Sequence, residues 1–448
     1  MGPLRRAAGS AGPGSRPWGN LMLDLEIIRT RTDEVRRNVE NRRVKGTDVD
    51  RILSLAVRRA ALITEIDALR ARRNDLSQRI GKADPAAREG LKTESSNLKA
   101  AVAEKEEALA AVETDLRTEQ AKLPNLTHPD APIGPDERSN RELRRWGDVP
   151  RFDFTPLDHV VLGEALGILD FDSGTKVTGS NFYFLKGDAV LLELALVRFA
   201  LEVLQNEGFT PYETPDLARM KVLEGTGFNP RGDETQIYRI EGFDLGLIAT
   251  AEITLGGLFM DEILTNDRLP VKVGGLSHCF RVEAGAYGRA SRGLYRVHQF
   301  TKVEMFAFTR PEESDAMHLE FLRIEEQIYQ RLGLPYRVVD IATGDLGGPA
   351  YRKFDLEAWM PGRGEGGEWG EVTSTSNCTD YQARRLGIRF RRGQGKKPEW
   401  VHTLNGTAIA ASRTIVAILE NYQQRDGSIV VPEVLRPYLG KDRIGRPA

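Results

Sequence analysis

Cysteine is nearly absent from this chain of 448 residues: Cys279 and Cys378 stand far apart. Two thiols at that separation build neither a disulfide framework nor a thiolate zinc site, and they fit a reducing compartment. Long apolar runs are missing as well; none approaches the length a membrane crossing needs. There is no surplus of one charge, since 63 Lys and Arg face 65 Asp and Glu for a formal −2. A surface for a polyanion must therefore arise from local asymmetry. The length suffices for two or three domains around a large core.

Residues 1–21 contain no acid at all. An acid-poor, Arg-bearing start suits a targeting leader, but its glycines and prolines oppose an amphipathic helix and no apolar stretch follows. Arg6 stands where a myristoylation signal wants Ser or Thr. The favoured reading is a disordered extension, or a start codon placed upstream of Met22. Met22 to Gly46 reads as a small helical cap, with Val35 and Val39 at helical spacing. Its arginines (Arg29, Arg31, Arg36, Arg37, Arg42, Arg43) are expected on a solvated face.

Asp48 or Asp50 can cap the helix that follows. Leu62, Ile66, Leu69, Leu76 and Ile80 form a heptad seam, interrupted by Arg73. Gly81 to Gly90 breaks it, and Leu91, Leu98, Val102, Leu109, Val112, Leu116 and Leu123 resume it, with Lys105 and Glu119 as exceptions. Two such helices joined by a Gly/Pro turn make an antiparallel coiled-coil hairpin ended by Pro124. Residues 51–82 carry eight Lys/Arg against three Asp/Glu, a net +5; residues 85–122 carry six against eight, a net −2. A basic helix on a projecting arm suits RNA phosphates, and a dimerising coiled coil with a charged exterior is the plainer alternative. Residues 124–150 read as a Pro-rich polar linker.

Leu191 to Asn206 is an amphipathic helix, followed by a strand from Gly208 that ends at Pro215. Thr250-Ala251-Glu252 follows an apolar strand; Glu252 can receive an ammonium group, and Thr250 can at the same time cap a helix. Asp355 and Glu357 share one face of a strand and are expected to play a supporting part. Gly362 to Gly370 lacks the Lys-Ser/Thr ending of a phosphate loop and reads as a flexible hairpin. Glu371-Val372-Thr373-Ser374 opens the next strand. Asn405 to Gln423 is a small-residue turn leading into a helix that carries Arg413.

The densest chemistry lies between Phe280 and Glu304. Arg281 and Glu283 are two residues apart, and Arg296, Phe300 and Glu304 four apart, so regular strands would put each set on one face. Gly285, Gly288 and Gly293 punctuate the loop, with Arg289 and Arg292 between them. Such a hairpin offers arginine forks for phosphate or carboxylate oxygens, an aromatic plate for a purine base, and carboxylates for amino or hydroxyl groups.

The run FRxEAGxxGRxxRGLxRVHQFxKVEMF closely resembles motif 2 of the seryl-tRNA synthetases, a class II aminoacyl-tRNA synthetase family. It departs from the usual pattern at Ala290. The helix and strand up to Pro215 resemble motif 1, LIATAE the amino-acid loop, and the stretch from Asn405 motif 3, with Thr407 where Ser is usual. The resemblance spans residues 22 to about 440. It implies an α+β fold, in which a class II catalytic domain (151–448) is an antiparallel β-sheet flanked by helices. The linker (124–150) and an N-terminal tRNA-binding domain with a helical coiled-coil arm (22–123) precede it. It also implies a cytoplasmic homodimer that uses ATP, Mg2+, L-serine and tRNA(Ser), with tRNA(Sec) left open and no membrane partner.

Carried over to this chain, the resemblance places serine on Thr250, Ala251, Glu252, Arg281, Glu304 and Thr407. ATP falls to Arg281, Val282, Glu283, Arg296, Val297, Phe300, Glu371, Val372, Thr373, Ser374 and Arg413. Glu371 and Ser374 take the magnesium, and Arg281, Glu371 and Arg413 carry catalysis. Two other readings are a related ligase loading an amino acid onto a carrier protein, against which the long arm speaks, and an inactive coiled-coil scaffold, against which the intact charged set speaks.

Overall fold

The computed structural model describes residues 23–228, 237–283 and 293–445. Residues 1–22, and the glycines and arginines between positions 284 and 292, Ala290 included, lie outside them. Two short helices open the described chain, α1 (Leu25–Thr30) and α2 (Thr32–Asn41). Two long ones follow, α3 (Val49–Lys82) and α4 (Pro85–Ala121). Asp48, not Asp50, caps α3 by accepting from Arg51 N at 3.0 Å. The reversal is tighter than the Gly81–Gly90 stretch suggested. Only Ala83 and Asp84 leave helix: Asp84 accepts from the amides of Ala86 and Ala87, Pro85 takes the first helical position, and Gly90 sits inside α4. Proline at that position loses no hydrogen bond, which is why so short a turn suffices.

Leu62, Ile66, Leu76, Leu98, Val102, Val112 and Leu116 are buried along the seam. The seam's exceptions pair instead of packing: Lys105 reaches Glu65 at 2.7 Å, and the buried Glu119 takes Lys122 at 2.9 Å and Arg51 at 3.5 Å. The positive side of α3 is partly occupied in the same way. Arg59, Arg70 and Arg72 pair with Glu113, Glu106 and Glu94 of α4, all within 2.9 Å.

Two expectations fail near the base of the arm. Arg42 is not on a solvated face; it is buried, and its guanidinium donates to the carbonyls of Asn125 (3.2 Å), Ala350 (2.8 Å) and Gly347 (2.5 Å). Residues 124–150 are not a plain linker. Asn125 is buried and donates to the carbonyls of Cys378 and Pro349 at 2.8 and 2.9 Å, while Arg141–Trp146 forms an edge strand, β1. Its residues are all exposed and mostly charged, the usual protection of a sheet edge, so no alternating apolar pattern marked it.

The main sheet continues with β2 (Thr210–Glu213), β3 (Val271–Phe280), β4 (Gln299–Thr309) and β5 (Tyr336–Asp340). It is completed by β6 (Arg352–Met360), β7 (Glu368–Thr379) and β8 (His402–Ala410). The strand order is β1-β5-β6-β7-β8-β4-β3-β2, antiparallel throughout except for the β2–β3 pair. A short helix, α5 (His159–Ala165), follows β1. Helices α6 (Asp188–Asn206), α8 (Ser314–Arg331) and α9 (Ala411–Asn421) cover one face and close the largest core, which includes Leu196, Phe199, Phe321, Val303, Met305 and Ile415. Alternate residues of β4 point to the other face. There Phe306 and Phe308 pack with Ala251 and Leu255 of the short helix α7 (Ala251–Gly256), and the same parity brings Phe300, Lys302 and Glu304 to that side. The fold is thus the expected antiparallel-dominated class II sheet with flanking helices and a helical arm.

Candidate active site

Thr250 caps α7, its hydroxyl accepting from Glu252 N at 3.2 Å. The helix can sit low on the sheet because position 275 is glycine. A Cβ there would come within 2.9 Å of Ala251 Cβ and 2.8 Å of a Leu255 methyl. Gly275 is also directly opposite Glu304 across the β3–β4 ladder, so the close approach brings Glu252 toward Glu304. Thr407 of β8 is opposite Glu304 on the other side and donates to its Oε2 at 3.3 Å. Three elements therefore converge on one buried pocket. Glu252 Oε1 is fixed by the amides of Gln382 (2.7 Å) and Asn405 (2.9 Å). Burial, and secondarily the charge of Glu304, push the Glu252 carboxyl up to about 7.

A cleft of about 580 Å³ lies further along the sheet and is lined by Arg296, Lys353, Asp355, Arg363, Glu371 and Arg413, among others. Glu371 and Ser374 are three residues apart, which on a regular strand would put them on opposite faces. A β-bulge removes the conflict. Leu356 pairs with Thr373 and Glu357 with Glu371, so Val372 is the extra residue. It turns into the main core, Thr373 donates to Glu325 Oε2 of α8 at 2.9 Å, and Glu371 faces the cleft. Ser374, opposite Asp355 in the ladder, shares that side. Of the four residues 371–374, Val372 and Thr373 thus present only backbone here.

Arg413, at the start of α9, donates to Glu371 Oε1 at 2.9 Å and to the Glu371 carbonyl at 3.0 Å. Burial works to raise the Glu371 carboxyl, but Arg413, with Lys353 and Arg281 behind it, outweighs that and holds it below the usual carboxylate range. The Tyr295 ring carries two guanidinium groups, those of Arg363 at 4.1 Å and Arg413 at 4.8 Å. Lys353 lies 3.0 Å from Asp355 Oδ2, and Asp355 Oδ1 is buried without a partner.

Arg281 stands between pocket and cleft. Its charge acts on both Glu252 and Glu371, and its guanidinium lies over the Phe300 ring at 5.2 Å. Phe300 packs on Cys279 and Val297. The strand spacing did not foresee how this group assembles. β3 ends at Phe280, Glu283 is left-handed with a φ of +52°, and Arg296 precedes β4. The two polar residues meet through an ion pair, Arg296 Nη1 to Glu283 Oε2 at 3.2 Å, and Val282 adjoins that turn. The positive φ at Glu283 turns the chain where an extended strand would not.

The sequence reading passed over Lys302, Lys353, Arg363, Gln382 and Asn405. Lys302 and Lys353 carried a usable signal, since Lys302 has the parity of Phe300 and Glu304 on β4 and Lys353 that of Asp355 and Glu357 on β6. The other three are placed by cross-strand or loop contacts. Both cysteines are free and buried, and among the described residues no helix is long and apolar enough to cross a membrane.

Residues 22–127 match the model of the seryl-tRNA synthetase N-terminal domain, and residues 238–422 that of the class II tRNA synthetase core domain (G, H, P, S and T). A serine–tRNA ligase of Rubrobacter xylanophilus is 60% identical over 425 residues, 95% of this chain and 99% of its own. The seryl-tRNA synthetase of Pyrococcus horikoshii, solved in complex with ATP, superposes with a TM-score of 0.89 at 42% identity, covering 95% of this chain and 100% of that one. The cytoplasmic serine–tRNA ligase of Naegleria fowleri, solved with AMP, gives 0.85 at 35% identity over 96% and 100%.

Proposed function

The chain belongs to the seryl-tRNA synthetase family, and on that footing we propose that it activates L-serine with ATP and passes the seryl group to tRNA(Ser). The observation that carries this reading is the position of Arg281 between a buried two-carboxylate pocket and a cation-lined cleft. The serine carboxylate must attack the α-phosphorus of ATP, so two anions have to meet, and positive charge must bridge them. Arg281 takes the serine carboxylate and the α-phosphate, leaving the Phe300 ring to adenine, whose amino edge falls near Glu283 with the Val282 and Val297 backbone alongside. The P–O bond to pyrophosphate breaks as the acyl–phosphate bond forms. Arg296 and Arg413 hold the outer phosphates. The 3′-hydroxyl of the tRNA's terminal ribose then attacks the acyl carbon, and AMP leaves.

Serine itself is held at three points. Its ammonium goes to Glu252 Oε2, since Gln382 and Asn405 occupy Oε1, with Thr250 and Ala251 closing that side. Its hydroxyl goes to Glu304 and Thr407. The fit to magnesium is good: Glu371 is kept ionised, Ser374 adds a hydroxyl on the same side, and Asp355 Oδ1 is an orphaned buried oxygen. When bound, the metal offsets charge on the departing pyrophosphate.

The arm serves tRNA, with tRNA(Sec) as the second candidate acceptor, and its full length disfavours a carrier-protein substrate. The exposed edge strand β2 and the apolar Val190, Leu191 and Leu194 exposed on α6 form the proposed homodimer face. The enzyme's proposed compartment is the cytoplasm. Pyrophosphate exchange with each of the twenty amino acids tests the function. Serine should support it and alanine hardly at all, because a site built for a hydroxyl rejects its absence by roughly 10⁴-fold. Exchange that favours another amino acid refutes the proposal.

A further inference from the structure

The serine pocket contains a cation that has no task in the scheme above. Lys302 is only 5% exposed, and its Nζ lies 2.5 Å from Glu304 Oε2. It is opposite Ser277 on β3 and Ala410 on β8, one step along the face from Glu304. The other titratable groups around the pair come from every side: Glu252 on α7, the Cys279 thiol on β3, Arg281 just past its end, and Glu325 on α8 beneath the sheet. Burying an ammonium costs several kcal/mol unless it is paired.

Two features define what the pairing does. Glu252 and Glu304 are both buried and close enough for the charge of one to act on the other. Lys302 sits on Glu304 and not on Glu252. In addition, Lys302 and Thr407 both approach Oε2, so the carboxyl is held through one oxygen in a single orientation.

We propose that Lys302 is a positioning residue for serine recognition, holding the Glu304 carboxyl turned so that Oε1 accepts the substrate hydroxyl. This rests on the reading of Glu304 as that acceptor. The consequence is specificity more than rate. A ligand without a hydroxyl leaves a buried carboxyl oxygen unpaired, and a carboxyl held by Lys302 and Thr407 cannot turn that oxygen to another partner. Lys302 therefore sharpens the rejection of alanine.

The test is pyrophosphate exchange with serine and with alanine on Lys302→Met, Lys302→Arg and the unmodified enzyme. A ratio of the two substrates on one preparation does not depend on how much of the protein has folded. The Met variant should lower the serine-to-alanine ratio of kcat/KM by about tenfold or more, chiefly through KM for serine. KM for ATP should be unchanged, and Arg should restore most of the ratio. An unchanged ratio in Lys302→Met overturns the proposal. Glu304→Ala, run in parallel, separates the two readings. If it still exchanges serine normally, the acceptor assignment itself fails; if it loses serine while Lys302→Met keeps full discrimination, only the role of Lys302 falls.

Discussion

Arg42→Met should loosen the arm from the catalytic body without touching the chemistry. Methionine keeps most of the volume and loses the three short bonds from the guanidinium to the carbonyls of Asn125, Ala350 and Gly347. Bonds from a charged donor contribute about 1.5–3 kcal/mol each, or about 4–9 kcal/mol together. Against this stands the cost of burial, which pulls the Arg42 pKa down to about 10 and amounts to about 3 kcal/mol. The net loss should be about 3 kcal/mol, which corresponds to detachment about a hundredfold more frequent. Asn125 and the Asp24–Arg384 pair at 3.3 Å still tether the base, so the closed form remains dominant. Limited proteolysis reads the opening directly, because cleavage near residues 124–140 follows the open population when reclosing is fast. Cleavage should accelerate by about that factor and tRNA charging should weaken, while serine-dependent pyrophosphate exchange stays at the unmodified level. Cleavage and charging both at the unmodified rate would show that the buried guanidinium does not hold the two parts together.

Two further expectations concern pH and the arm. Glu252 must be ionised to take the serine ammonium, and its carboxyl sits at about 7. kcat/KM for serine should therefore fall about tenfold per pH unit below that point, and Glu252→Gln should abolish this limb along with most of the activity. The linked stability term has the opposite sense: a raised carboxyl favours the fold below its unfolded pKa, and that contribution is lost as pH rises through about 7. A serine profile flat from pH 5.5 to 7.5 would contradict the assignment. For the arm, residues 63–108 can be replaced by a short Gly/Ser turn, sparing Ile52 and Leu116 in the core at its base. Pyrophosphate exchange should survive and tRNA charging should fall by about two orders of magnitude; undiminished charging would give the arm another purpose.

The sequence made legible what is local or periodic. The seam of α3 and α4, the Asp48 cap, the helix at Thr250 and the parity of Phe300 and Glu304 all follow from spacing within one element. The missed features depend on partners far along the chain. Arg42 looks like any exposed arginine until loop 346–350 folds over it, 304 or more residues away. Lys302 and Glu304 are near neighbours, yet only the burial of the whole ladder makes their pairing consequential. β1 escaped notice because an edge strand has no need of an apolar pattern, and Arg59, Arg70 and Arg72 read as free charge because their partners lie on the other helix of the arm.

The bulge at Val372 bears on which changes this site can absorb. An exchange of Val372 for another aliphatic residue alters a few methyl groups in the core. Removing the residue altogether would leave a regular ladder in which Glu371 and Ser374 are two apart and still share the cleft side, at the cost of the Val372 methyls in the core. Keeping all four residues while straightening the bulge would instead put one of the two donors under the sheet. The pairing of the two oxygen donors is therefore a matter of parity more than side-chain type. Three residues in a regular ladder or four with a bulge both preserve it, and only a change in one without the other separates them.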